Sequence, residues 1–219
     1  MRPSEEPGGG ARDPRAVDMQ QMPHQTTRDT PSAPRERALA RLLALGADDF
    51  PHHVGSLAEH LQRTERILRA WGSREALCLA GLYHSVYGTE GITGALVPLA
   101  ARSAVVRIIG AEAEALAYRF GACARDVFHP RIGTADELRF ADRFTGDEYA
   151  IDRQALADFC EMTIANELDL AGKSERFRAK HGPELLALFA RMRGRASDVA
   201  LAAARAALAP CCLVTAAER

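Results

Sequence analysis

The sequence predicts an all-α protein, a single helical bundle carrying at most one small β-hairpin. Three observations carry this expectation. Apolar residues recur at helical spacing through most of the chain, as in Leu57, Leu61, Ile67, Leu68 and Trp71. The patterned segments are bounded by helix start and stop residues, such as Ser56 with Glu59 before one and Gly72 after it. Alternation of period two appears once, in residues 138–144 and 149–151, around the turn Thr145-Gly146-Asp147-Glu148.

Composition narrows the function classes. The chain has 219 residues, of which 47% are hydrophobic, enough for one well-buried core plus tails. Lysine and arginine number 28 and aspartate and glutamate 29, for a net charge of −1. Nucleic acid and anionic membranes therefore meet no opposing field, and neither is an expected partner. No apolar run approaches the roughly 20 residues that cross a bilayer, and the polar N-terminus has no apolar segment of the secretory kind. The five cysteines are odd in number and dispersed, and Cys211-Cys212 lack the spacing of a redox or metal motif. That usage suits a reducing cytoplasm. Oligomeric state is left open.

Taken in order, residues 1–33 are rich in Pro, Gly, Thr, Gln, Arg and Asp and poor in large apolar residues. They are expected to form a disordered tail. One domain is expected over residues 34–210, with a short tail at 211–219. Its first helix spans about 35–45 and ends at Gly46. A loop with Pro51 and Gly55 follows, then a helix from Leu57 to Trp71 that carries His60 beside Leu57 and Leu61. The next helix, from Ser73, is apolar almost all round (Ala76, Leu77, Leu79, Ala80, Leu82, Val86), the mark of a central helix. It carries His84 and breaks into Tyr87-Gly88-Thr89-Glu90. Gly91 and Gly94 bracket a connector, and helices follow at about 104–109 and 111–122. Residues 124–136, with His129-Pro130 and Gly133, read as irregular. Asp152 caps a helix to about 171, and helices near 183–193 and 196–208 close the chain, with Pro183 in a first turn.

The chemistry-bearing residues gather around two inward histidines. An imidazole on an apolar face is more often a hydrogen-bonded core group than a ligand, and two of them on successive helices put a shared site on equal footing with the core reading. His60 and His84 are the two candidates for that site. Three residues make about 300° of helix, so Asn166 and Asp169 are separated by about 60° and can face one cavity. Glu90 and Tyr87, just past His84, are candidate proton-transfer groups, and Arg143 is a candidate clamp for an anion. Glu90 and Tyr87 also fit a plain helix C-terminus with Gly88 left-handed. The His52-His53 pair fits an exposed loop, and Glu167 a solvated surface charge. Cys78, Cys123 and Cys160 read as small core residues.

The segments H-x-x-x-T-x-x-I-L from His60, A-G-L-Y-H-S from Ala80 and A-N-E-L-D from Ala165 resemble the HD-domain superfamily, closest to the guanosine-tetraphosphate hydrolase type. Residues 83–90, YHSVYGTE, also resemble the signature of small HD-like bacterial proteins of unknown function. The likeness spans about residues 52–170. It implies a helical bundle in which a histidine, a His-Asp pair and a late aspartate bind one divalent metal. Carried over, His60 matches the first histidine, His84 the histidine of the pair and Asn166 the late aspartate. Two departures stand out: the aspartate of the pair is Ser85, and the late one is Asn166. Both remove negative charge that a hard cation needs. Glu90, Glu167, Asp169 or the His52-His53 pair are the available replacements.

The resulting expectation is an HD-like enzyme acting on a small molecule, metal-assisted through Fe, Mn or Zn, by hydrolysis or with oxygen as in the two-iron oxygenases of the superfamily. No nucleotide cofactor is indicated. The alternatives are a metal-free scaffold doing acid–base catalysis through His84, Tyr87 and Glu90, or a ligand-binding accessory protein.

Overall fold

The computed structural model describes residues 33–52, 55–90, 94–135 and 137–208. Nearly all of both expected tails, the Gly91 end of the connector and His53 lie outside the described residues. The architecture is helical: α1 (Pro34–Ala44), α2 (Leu57–Ala70), α3 (Glu75–Tyr83), α4 (Arg102–Ile109), α5 (Ala111–Ala122), α6 (Arg125–Arg131), α7 (Arg153–Lys173), α8 (Glu175–Arg191) and α9 (Asp198–Leu208). A short 3-10 turn, Leu99–Ala101, leads into α4. Among the described residues no helix is long and apolar enough to cross a membrane.

The β content exceeds the single hairpin expected. β3 (Arg139–Ala141) pairs antiparallel with β4 (Glu148–Ala150), where alternation placed it, with Phe140 opposite Tyr149. A second pair, β1 (Pro51–His52) with β2 (Gly55–Ser56), precedes α2. Two-residue strands leave no periodicity to read, and the pairing rests on Gly55 taking φ +106°.

α3 is the centre of the bundle, as its all-apolar sequence requires. Every residue from Leu77 to Tyr83 is buried, and α1, α2, α4, α5 and α7 all pack against it. The long α7 lies across α2, α3 and α5 on one side and α8 and α9 on the other. Phe159 of α7 interlocks with Phe120, Phe128 and Phe140, with Phe128 5.0 Å from Phe140 and 5.3 Å from Phe159 between ring centroids. Each such fully buried side chain contributes about 1.5–3 kcal/mol. His60 on α2, His84 at the end of α3 and Asn166 on α7 therefore lie where three helices meet.

Two expectations about helices are corrected. The stretch expected to be irregular, 124–136, contains a helix: α6 occupies Arg125–Arg131 and includes Pro130. Its start is capped from a distance, the Glu90 carboxylate accepting from the Arg125 backbone N–H at 2.6 Å, and a tertiary cap leaves no local signature. Pro130 falls in the last turn, where a missing N–H costs only one bond. α8 begins at Glu175 rather than near Pro183, which it carries in its interior. The Ser174 hydroxyl caps it by accepting from the Phe177 N–H at 3.1 Å.

Candidate functional site

His84 ends α3, at its C-cap. The last carbonyls of a helix have no partner within it, and the His84 Nδ1–H donates to one of them, the Gly81 oxygen, at 2.7 Å. A carbonyl only accepts, so the His84 proton sits on Nδ1 and Nε2 carries a lone pair. Burial, then the neighbouring His60, pushes the His84 imidazole well below its usual range and keeps it neutral.

His60 is held from the other side. Its Nδ1 donates to Asp169 Oδ2 at 2.7 Å, while Arg63 donates to Oδ1 of the same carboxylate at 2.6 Å and to Oδ2 at 3.1 Å. Burial alone raises the Asp169 carboxyl, but the bonds from His60 and Arg63 outweigh it and hold the group below the usual carboxylate range. With its Nδ1–H directed at Asp169, His60 turns Nε2 inward. That atom lies 3.2 Å from His84 Nε2 and 3.1 Å from Asn166 Oδ1. The Asn166 amide is oriented by its Nδ2, which donates to Glu167 Oε1 at 3.0 Å.

His60 Nε2 thus lies at hydrogen-bond distance from two other acceptor atoms, with no donor assigned between them. Facing lone pairs in a buried site repel, and His60, His84 and Asn166 are 1%, 1% and 6% exposed. The contact is favourable only with a proton or a cation among them. Bonds of about 2.0–2.1 Å to one metal ion, at tetrahedral to octahedral angles, put neighbouring donors about 2.9–3.4 Å apart, and the observed separations fall in that range. Soft-to-borderline ions such as Zn or Fe suit imidazole nitrogen. The donor set is neutral, however. Among the described residues no group of three or more His, Cys, Asp or Glu side chains is placed to hold a metal.

The sequence candidates separate accordingly. His60, His84 and Asn166 come together. Asp169 joins them only through His60: it grips Nδ1, on the far side of the ring from Nε2, and is an orienting partner rather than a member of the converging set. Glu90 caps α6 and makes no bond to either histidine among the described residues. The Tyr87 hydroxyl donates to Glu114 at 2.8 Å, and Arg102 holds the same carboxylate at 2.6 Å, so Tyr87 faces α4 and α5. Arg143 donates its Nε–H to the Gly121 carbonyl at 2.7 Å and lies over Phe144. Its neighbour Asp142 instead accepts from the Tyr118 hydroxyl at 2.9 Å. Ser85 is buried and accepts from the Thr89 hydroxyl at 2.9 Å.

Three further residues bear on the site. His52 stacks on His60, the ring centroids 4.2 Å apart and the planes 13° from parallel. Glu167 is half-buried rather than solvated, and burial raises its carboxyl. The Arg125 guanidinium lies 4.9 Å over the Phe120 ring, whose edge meets His84 at 4.8 Å. The expectation of an irregular 124–136 hid the i, i+4 relation of Arg125 to His129.

Residues 41–125 match the model of a family described as a domain of unknown function (DUF6817). The match covers less than half of the 219-residue chain. It takes in His60 and His84 and stops before Asn166 and Asp169. No curated protein and no solved structure matches the chain.

Proposed function

We propose that the chain is an HD-like enzyme acting on a small molecule, with His60, His84 and Asn166 holding one divalent ion. The observation that carries this reading is the approach of His60 Nε2 to His84 Nε2 at 3.2 Å and to the Asn166 oxygen at 3.1 Å. A bound ion supplies Lewis acidity toward a phosphoryl or carbonyl oxygen, or redox chemistry if it is iron. The residues do the rest. Asp169, anchored by Arg63, fixes the His60 tautomer and ring, as outer partners of metal-binding histidines do. The Gly81 carbonyl does the same for His84. Glu167, a carboxyl raised by burial beside Asn166, takes the role of proton carrier, which the sequence had suggested for Glu90.

The neutral donor set supports a second reading, in which a shared proton takes the place of the ion and the site works by acid–base chemistry. A reducing cytoplasmic setting goes with both readings: Cys78, Cys123 and Cys160 are buried free thiols. The test is to load the protein with Zn, Mn or Fe(II) and follow phosphate release from a panel of phosphoesters alongside oxygen consumption. Turnover with one of these ions is expected, abolished in His60→Ala/His84→Ala and lowered by about 100-fold or more in Glu167→Gln. Turnover that survives the double substitution refutes the assignment.

A further inference from the structure

α6 carries Arg125 and His129 four residues apart, on one face of the helix. Arg191, in the last turn of α8, reaches the backbone of α6, its Nη2 donating to the His129 carbonyl at a long 3.4 Å, close enough for its charge to act on the His129 ring. Three nitrogens of these side chains are shielded from solvent and have no hydrogen-bond partner: Arg125 Nη2, His129 Nε2 and Arg191 Nε. Neither guanidinium has a carboxylate partner among the described residues. By contrast Arg35, Arg63, Arg69, Arg74 and Arg102 are each paired with an acid.

This arrangement is costly as it stands. A shielded N–H without an acceptor loses about 1–3 kcal/mol, and two guanidinium groups beside one imidazole repel one another. Burial, then Arg125 and Arg191, push His129 down to about 4, so at neutral pH the imidazole adds no third charge and still carries one N–H. Glu167 feels the charge of Arg125 but forms no ion pair with it. An oxyanion removes both costs, since it opposes the two charges and offers acceptors to guanidinium forks. Aromatic rings form the wall toward the histidine pair: Phe120 under Arg125, and Phe159 6.0 Å from His129.

We propose that Arg125, His129 and Arg191 form an oxyanion-binding site between α6 and α8, one aromatic ring away from His84, which takes the phosphate or carboxylate group of a small molecule. The site does not rest on the metal reading, because its donors hold an oxyanion whatever lies between His60 and His84.

The test is thermal unfolding together with NMR of the histidine rings, in titrations with inorganic phosphate and, separately, with acetate, at constant ionic strength set by chloride. A saturable rise in Tm is expected, with the His129 ring signals moving along the same binding curve. The rise is lost in Arg125→Gln and in Arg191→Gln and kept in His60→Ala/His84→Ala. A response to phosphate alone identifies a phosphoryl ligand, one to acetate alone a carboxylate, and one to both a site for either. The proposal is overturned if neither probe gives a saturable response, or if His129 stays unmoved while Tm rises. It is also overturned if binding persists in both arginine variants, or vanishes in the double histidine variant. The His129 signal is read in the unsubstituted protein, so a variant that fails to fold does not block the test.

Discussion

At the scale of single residues, the site depends on which nitrogen of each histidine is free. Asp169 decides this for His60, and it does so as one member of a buried triad with Arg63. Asp169→Asn keeps the shape but removes the anion, and is expected to weaken metal binding by about 10–100-fold in a chelator competition. Asp169→Ala takes the acceptor from His60 Nδ1 and leaves Arg63 its longer contact to Glu59 at 3.6 Å, and is expected to lose about 1–3 kcal/mol in urea unfolding. Unchanged metal affinity in the first variant contradicts the orienting role. Asn166→Asp puts a negative charge into the converging set and is expected to tighten metal binding by about tenfold or more. If a shared proton is the true occupant, that substitution creates no metal affinity. At this scale the sequence was informative where a helix fixed direction. His60, His84 and Asn166 lie on faces that the apolar pattern turned inward, whereas Tyr87, Glu90 and Arg143 found partners on α5, at the start of α6 and at the Gly121 carbonyl. Those pairings depend on how separate elements dock, which spacing along the chain does not encode.

At the scale of elements, the separation of the two histidines is set by the approach of α3 to α2. Gly81 sits at that contact: a Cβ there would lie 2.5 Å from the tip of the Leu68 side chain, which would have to turn away, and 3.6 Å from Glu65 Cα on α2. The Gly81 carbonyl also holds His84. Gly81→Val is expected to wedge the helices apart at a cost of about 1–3 kcal/mol, which lowers Tm by roughly 2–12 °C for a chain of this size. Metal binding should weaken with it. A variant as stable as the parent, with its metal affinity intact, shows that the helix spacing does not govern the site. The central position of α3 and the Ser56 and Asp152 caps were legible because each is a local pattern. α6 was not, because its first N–H is satisfied by Glu90, 35 residues earlier in the chain. The early start of α8 had a local signal in Ser174, overshadowed by the reading of Pro183 as a first-turn residue.

For the whole molecule, burial of neutral histidines makes stability depend on pH. His84 and His129 titrate below their ordinary value of about 6.5 in the folded protein and near it when unfolded. The unfolded chain therefore binds more protons as the pH falls below about 6.5, and stability declines from there. His129, moved to about 4, accounts for a loss of about 3 kcal/mol between pH 7 and pH 4. Asp169, held low by its partners, contributes stability present above its unfolded value of about 3.9 and lost as the pH falls through its folded value. Urea unfolding in phosphate-free buffer from pH 7.5 to 4 measures the decline, and a flat profile contradicts the buried, neutral histidines. The fold class was written in the helical periodicity, whereas the site was only half written there. Its two histidines lie within the span of the family match, and Asn166, Asp169 and the α6 cluster come from the later part of the chain, brought in by packing.

The most direct measurement is elemental analysis of the purified protein, beside His60→Ala/His84→Ala and, as a control, Tyr87→Phe. About one ion of Zn, Mn or Fe per chain is expected, kept in Tyr87→Phe and lost in the double variant. Protein that holds no metal after incubation with each ion, or a double variant that keeps it, contradicts the claim that the lone pairs of His60, His84 and Asn166 are a metal site.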